Sequence, residues 1–210
     1  MSTEASPTPD DGIVLADEAA TEAAGRALGR GLEAEFGAAI EAAPTGELSR
    51  SGAASRPDIV ERRGSGAPPS AGAMLVGLAG SLGAGKTTLA RATLRALGVT
   101  GTVRSPTYTI AEPYDTHIGR IWHLDLYRIA DPDELEFIAI RDLVAESAAC
   151  LVEWPERGRG GIPEPDCLVT LAVDGSGSAR RLRIASRTTR GEGLASRVSA
   201  CMQPDSRESR

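Results

Sequence analysis

Asparagine is absent from the 210 residues, lysine occurs once, aromatic residues make up 3% and cysteines number 3. Each shortage excludes something. Without asparagine there is no Asn-Lys-x-Asp guanine reader of the kind GTPases use. With so few aromatics the core must be built from Ala, Leu, Val and Ile. Cys150, Cys167 and Cys201 are odd in number and widely spaced, which fits neither a zinc site nor a disulfide framework. They are expected as small buried apolar residues in a reducing compartment. No run of eighteen apolar residues occurs, so no membrane-spanning helix is expected. The opening "MSTEASPTPDDG" has neither a basic region nor an apolar run, which argues against a signal peptide and for a cytoplasmic protein. The formal net charge is −6, and an acidic surface repels phosphate backbones. The chain alone is expected to be a poor nucleic-acid binder.

The remainder divides by composition, with no internal repeat. Residues 1–12 are expected to be a disordered N-terminus. Residues 13–42 carry the pattern of an amphipathic helix, with Leu28, Leu32, Phe36 and Ile40 four apart and Asp17 or Glu18 at its start. Four glycines weaken that pattern. Residues 43–73 are rich in Gly, Ser, Pro and Ala and read as a flexible linker or insertion. Residues 74–186 read as an α/β domain, and 187–210 as a mobile tail with a short helix around 193–202. Within the domain, "MLVGLA" and "ACLVEW" are buried strands and "RIWHLDLYR" is a strand running into a loop. "KTTLARATLRALG" is a helix that stops at Gly98. "DPDELEFIAIRDLVA" has Asp131 as N-cap and Pro132 at the first helical position, the start signals of a helix. "CLVTLAVDGSGSARRLRIAS" is a β-hairpin with a Gly/Ser turn.

The chemistry concentrates at "GSLGAGKTT". Gly80, Gly85, Lys86 and Thr87 satisfy G-x-x-x-x-G-K-[ST], with a strand before and a helix after. Backbone N–H groups over Ser81, Leu82, Gly83, Ala84 and Gly85 and the helix N-terminus suit a nucleotide's phosphates. Lys86 is positioned for the β- and γ-phosphates, the Thr87 hydroxyl for Mg²⁺, and Thr88 for the α-phosphate. Lys86 is the only lysine beside 22 arginines. A compact ammonium fits such a loop where a wide guanidinium does not. Asp125 and Glu153 each end a strand, at the sheet edge where open α/β folds bind ligands. Either suits Mg²⁺ directly or through water, and the other the attacking water. In "SPTYTIAEPY", Ser105, Thr107, Tyr108 and Thr109 read as a switch loop for the γ-phosphate, or as a Ser-Pro turn into a strand. His123 reads as a structural residue, and Trp154 as packing that also shields Glu153 from water.

Five segments, "GSLGAGKTT", "SPTYT", "HLDLYR", "DELEFIAIRD" and "VEWPERG", in this order and spacing, resemble the TsaE family, the ATPase component of bacterial tRNA threonylcarbamoyladenosine synthesis. The resemblance covers Met74 to about Ser186 and, more loosely, the N-terminal helix. It implies a three-layer P-loop NTPase fold with a central mixed, mainly parallel sheet. It implies ATP and Mg²⁺ as cofactors, weak hydrolysis, and partnership with TsaD and TsaB. That complex transfers threonylcarbamoyl to the adenosine beside the anticodon of tRNAs reading A-starting codons, so tRNA is met only through the complex. By matching motifs, Thr87 and Glu153 would bind Mg²⁺ and Asp125 would be the acid needed for hydrolysis. Glu18 and Thr21 would lie near the adenine, and Arg180 or Arg181 would contact nucleotide. The family runs from its first helix almost directly into the P-loop strand, whereas here 43–73 intervene. Two other readings share the P-loop: a small-molecule kinase with "ERGRGG" as its lid, and a non-hydrolysing ATP-gated binding module.

Overall fold

The computed structural model describes residues 12–41, 72–138, 140–175 and 177–202. Apart from Gly12, Gly72 and Ala73, the expected N-terminus and linker lie outside the described residues. One sheet of seven strands organises the rest, in the order β1-β7-β6-β2-β5-β4-β3. The strands are β1 (Ile13–Leu15), β2 (Met74–Ala79), β3 (Ala111–Thr116), β4 (Gly119–Asp125), β5 (Ala149–Glu153), β6 (Cys167–Val173) and β7 (Arg180–Ser186). The four central strands β6, β2, β5 and β4 are parallel, while β7 and β3 pair antiparallel on either side. Their apolar runs are continuous because both faces are covered. On β2, Met74, Val76 and Leu78 face one core and Leu75 the other. The period-2 alternation of a strand divides them.

The first face carries three helices, α1 (Glu18–Glu41), α2 (Lys86–Ala96) and α4 (Thr189–Met202). Asp17 caps α1 by accepting a 2.8 Å hydrogen bond from the Ala20 N–H. Leu28, Leu32 and Phe36 are buried as their spacing predicts. The glycines of α1 are not weak points but contact surfaces. A Cβ on Gly25 would meet the Leu89 carbonyl and Ala92, and one on Gly29 would meet Ala96 and the Thr93 carbonyl. The two helices therefore cross almost backbone to backbone, and Thr93 Oγ1 donates across the crossing to the Gly25 carbonyl at 3.1 Å. The opposite face is covered by a 3-10 turn (Pro132–Ile138), the short helix α3 (Ile140–Ala145) and a second turn (Pro155–Gly158).

Three expectations need correction. Residues 13–42 are not all helix: Ile13–Leu15 form a strand that pairs with Leu182, Arg181 and Arg180 of β7. Residues 187–210 are not a mobile tail as far as they are described. Helix α4 runs through Met202, with Leu194 and Val198 buried and Arg197 bound to Glu35 at 2.9 Å. Leu194 and Val198 sit against Gly31 of α1, so tertiary docking holds a helix whose local sequence is rich in glycine. The segment after Asp131 starts as predicted, with Glu134 accepting from the N–H groups of Ala130 and Asp131. It winds as a 3-10 turn before α3, because the buried Leu135, Ile140 and Val144 are five and four apart and no single α-helical stripe carries all three. The reading of a Ser-Pro turn into a strand holds for "AEPYDT", which is the edge strand β3, paired along β4.

Cys150 and Cys167 are buried, and removal from water pushes each thiol up to about 11, while Cys201 is exposed. Titration of the native protein with a disulfide reagent at pH 8 is expected to give one reactive thiol, and three after denaturation.

Candidate functional site

The parallel strands bring their C-terminal ends to one edge, and the predicted residues gather there. β2 ends at Ala79, and Gly80 turns the chain at φ 141°. A Cβ at Gly80 would overlap the Leu171 carbonyl oxygen, so glycine is required sterically as well as conformationally. Gly83 and Gly85 also have positive φ, 76° and 103°. Ser81, Leu82 and Gly83 are exposed, Ala84 is buried, and Thr88 lies half-buried in the first turn of α2.

Lys86 is buried and folds back, its Nζ donating to the carbonyls of Gly80 at 2.8 Å and Ser81 at 2.9 Å. The same ammonium lies 3.8 Å from the centroid of the Trp154 ring. Desolvation lowers its pKa below the ordinary lysine value, against the pull of Glu153, Asp125 and Glu156. Thr87 Oγ1 donates to Glu153, 2.9 Å from Oε1 and 3.0 Å from Oε2. β4 and β5 pair Asp125 with Glu153 in register, so the two carboxylates end adjacent strands side by side. Asp125 accepts from Thr107 Oγ1 at 3.0 Å and from the Tyr127 N–H at 3.0 Å. Ser105 Oγ continues that chain, 2.7 Å from Thr107 Oγ1.

Thr21, in the first turn of α1, is buried, and its methyl faces Gly85. Glu18 is exposed one turn earlier on the same helix. Arg180 begins β7 and donates to the hairpin carbonyls of Gly177 and Ser178, while Arg181 pairs in register with Val14. The site also contains two features that sequence reasoning passed over. His123 is fully buried with Nε2 2.9 Å from Glu153 Oε1. Its signal was its period-2 spacing from Asp125, which puts both on one face of β4. Trp154 and Ile110 are the non-glycine residues with positive φ among those described, at 59° and 66°. Both are bulky and Ile110 is β-branched, so each marks backbone strain. Both adjoin the site: Trp154 follows Glu153, and the Ile110 carbonyl accepts from the Asp125 N–H at 2.9 Å.

A cavity of about 170 Å³ lies on the opposite face, lined by Ala79, Pro155, Arg159, Pro165, Leu168 and Arg187 among others. It contains none of the side chains that converge on Glu153. The geometry and chemistry favour the exposed glycine loop as the site, since backbone amides and a helix N-terminus suited to phosphate converge there. Among the described residues no cluster of three or more His, Cys, Asp or Glu forms a self-sufficient metal cage.

The family model described as "Threonylcarbamoyl adenosine biosynthesis protein TsaE" matches residues 15–182. The chain belongs to the TsaE family. The chain is similar to the TsaE protein of Haemophilus influenzae, at 46% identity over 127 residues, 60% of this chain and 79% of that protein. With the TsaE proteins of Aquifex aeolicus and Bacillus subtilis it shares 42% over 90 residues and 40% over 77. These matches cover 42% and 37% of this chain, and 62% and 48% of those relatives, so they span less than two thirds of each relative. A crystal structure of Bacillus subtilus YdiB superimposes with a TM-score of 0.49 at 26% identity, covering 61% of this chain and 78% of that one. TsaE membership gives the chain its part in threonylcarbamoyladenosine biosynthesis and, at the level of the family, nucleotide binding. No described helix is long and apolar enough to cross a membrane.

Gly80→Ala is expected to destabilise the fold by on the order of 3 kcal/mol, from forced backbone strain and the overlap with Leu171. Gly175→Ala, which meets open space, should stay within about 0.5 kcal/mol of the parent in the same urea titration.

Proposed function

We propose that this chain is a Mg²⁺-dependent ATP-binding protein that hydrolyses ATP weakly by itself. It acts as the accessory of a complex of TsaD and TsaB homologues that adds threonylcarbamoyl to the adenosine beside the anticodon of tRNAs reading A-starting codons. The cytoplasm, where tRNA is found, is its place of action. The observation that carries this reading is the meeting of Thr87 with Glu153 at the mouth of a glycine loop, in a chain of the TsaE family.

The residues present fit both cofactors. Mg²⁺ takes one or two protein oxygens and fills its remaining positions with water and phosphate oxygens. The Thr87 hydroxyl and the Glu153 carboxylate are two such donors, already 2.9 Å apart. A bound Mg²⁺ would supply positive charge to offset that of the phosphates. Lys86 has spent its ammonium on two carbonyl oxygens of its own loop, weak anchors that a phosphate replaces with a charge-assisted bond. The N–H groups from Ser81 to Thr88 hold the remaining phosphate oxygens. Thr21, packed against Gly85, and Glu18 beside it border the nucleoside end. Asp125 orients the attacking water, and Thr107, bonded to Asp125, links that acid to the "SPTYT" loop. The acidic chain meets tRNA only through its partners.

The first test is ATP hydrolysis by the purified protein, alone and with TsaD, TsaB and tRNA. A low basal rate raised by the partners is expected; ATP binding with no turnover in either condition would leave only a nucleotide-gated module. Lys86→Ala is expected to weaken ATP binding about 100-fold or more, as the loss of charge-assisted phosphate bonds predicts. Asp125→Ala should bind ATP within about threefold of the parent and lose about 100-fold in turnover. Equal turnover in the two would remove Asp125 from the reaction. ATP affinity also has a set pH direction. Phosphate requires charged Lys86, whose pKa in the free protein is lowered by burial from 10.5. As pH rises, affinity should therefore hold through neutrality and then fall by about tenfold per unit once the free-protein value, which lies below 10.5, is passed. Isothermal titration across that range, with Lys86→Ala showing no such fall, checks it.

A further inference from the structure

The reading of the site leaves one buried polar group unused. His123 has no solvent exposure, and its Nε2 lies 2.9 Å from Glu153 Oε1. Its other ring nitrogen, Nδ1, is buried with no hydrogen-bond partner. That asymmetry assigns the tautomer. A buried N–H without an acceptor is far costlier than an unused lone pair, so the proton belongs on Nε2, where the carboxylate receives it. An imidazolium would bury a second N–H with nothing to accept it.

We propose that His123 is a positioning residue for Glu153: its Nε2–H holds the carboxylate in the orientation that presents the other lone pairs to Thr87 and to a divalent cation. The inference rests on the nucleotide-site reading above. Three observations converge on it. Glu153 is itself buried, so its orientation is fixed by partners rather than by water. Only two side chains reach its carboxylate among the described hydrogen bonds, Thr87 and His123. Thr87 can turn a hydroxyl lone pair to a cation and still donate its proton to Glu153, so it holds one side of the carboxylate while His123 holds the other. The strand pairing makes the arrangement rigid, because His123 pairs in register with Leu151, two residues before Glu153 on β5. A ligating carboxylate hydrogen-bonded from behind keeps its geometry without conformational cost on binding.

The test uses full-length protein and a fluorescent ATP analogue carrying an N-methylanthraniloyl ribose, titrated at increasing MgCl₂ and again in EDTA. His123→Leu preserves apolar volume and removes the donor. It is expected to raise the MgCl₂ concentration needed for half-maximal binding about tenfold, the size of effect seen when a ligand's outer partner is removed. Binding in EDTA should change little, while the melting temperature should fall in His123→Leu, because the buried Glu153 carboxylate loses a donor, and recover in His123→Gln. His123→Gln, whose amide N–H reaches as far as Nε2, should return the Mg²⁺ dependence to within about threefold of the parent. An unchanged Mg²⁺ dependence in His123→Leu would overturn the role of His123. So would His123→Gln and His123→Leu being equally impaired with equally lowered melting temperatures, the mark of a purely structural residue. Parent protein that binds no analogue at any Mg²⁺ concentration would overturn the nucleotide reading itself, and His123's role with it.

Discussion

Thr87 and Glu153 stand 66 positions apart and meet at 2.9 Å, and the candidate site is built outward from that contact. It ties the N-terminus of α2 to the end of β5. It exists because β2 and β5 lie parallel with Leu78 opposite Glu153, so the turn at Gly80 starts α2 directly above the carboxylate. A carboxylate this deeply buried is tolerated only when its lone pairs are taken up. Thr87 and His123 take them up. The next strand over follows the same logic: register with Glu153 fixes Asp125, and the pleat fixes His123 behind it.

The polar groups at this edge bond to one another. Lys86 is held by two loop carbonyls and an indole face, Thr87 by Glu153, and Asp125 by Thr107 and the Tyr127 N–H. Backbone strain is stored at the same edge. Left-handed Trp154 and Ile110 each cost on the order of 1–3 kcal/mol and persist because the surrounding structure holds them. The turn at Trp154 sets its indole over the Lys86 ammonium and beside Tyr127, with ring centroids 5.1 Å apart. Strain in one residue thus places an aromatic wall on the lysine that would meet the phosphates.

The elements legible in the sequence were those whose signal is local. Continuous apolar runs marked β2 and β5, and the glycine spacing with Lys86 and Thr87 marked the turn into α2. The elements that escaped depend on distant partners. Three residues, Ile13–Leu15, become a strand only because β7 offers an edge. "AEPYDT" carries a proline and two acids, composition that suits an edge strand, and only the pairing along β4 fixes its extent. The alternation along "IWHLD" held the information that His123 and Asp125 share a face. The β4–β5 register, which turns that face toward Glu153, could not be read from either strand alone. The left-handed Trp154 likewise follows from the way β5 leaves the sheet, and tryptophan has no local preference for that conformation.

The position of α1 follows from the same kind of distant constraint. More than thirty residues separate its end from β2, which would leave Thr21 unplaced if the connection set the helix. The contacts show otherwise. Gly25 and Gly29 let α1 approach the backbone of α2 at two points one turn apart, and Gly31 receives Leu194 from α4. These contacts bind α1 between two helices, and β1 anchors the chain just before it. The entropy of closing a connection rises by only about 0.6 kcal/mol for each doubling of its length. Burial of Leu28, Leu32 and Phe36, at about 1.5–3 kcal/mol for each large side chain, exceeds that increment several times over. The length between α1 and β2 can therefore vary while Thr21 stays against Gly85. The helix is placed by what its glycines allow it to touch, and Thr21 is placed with it.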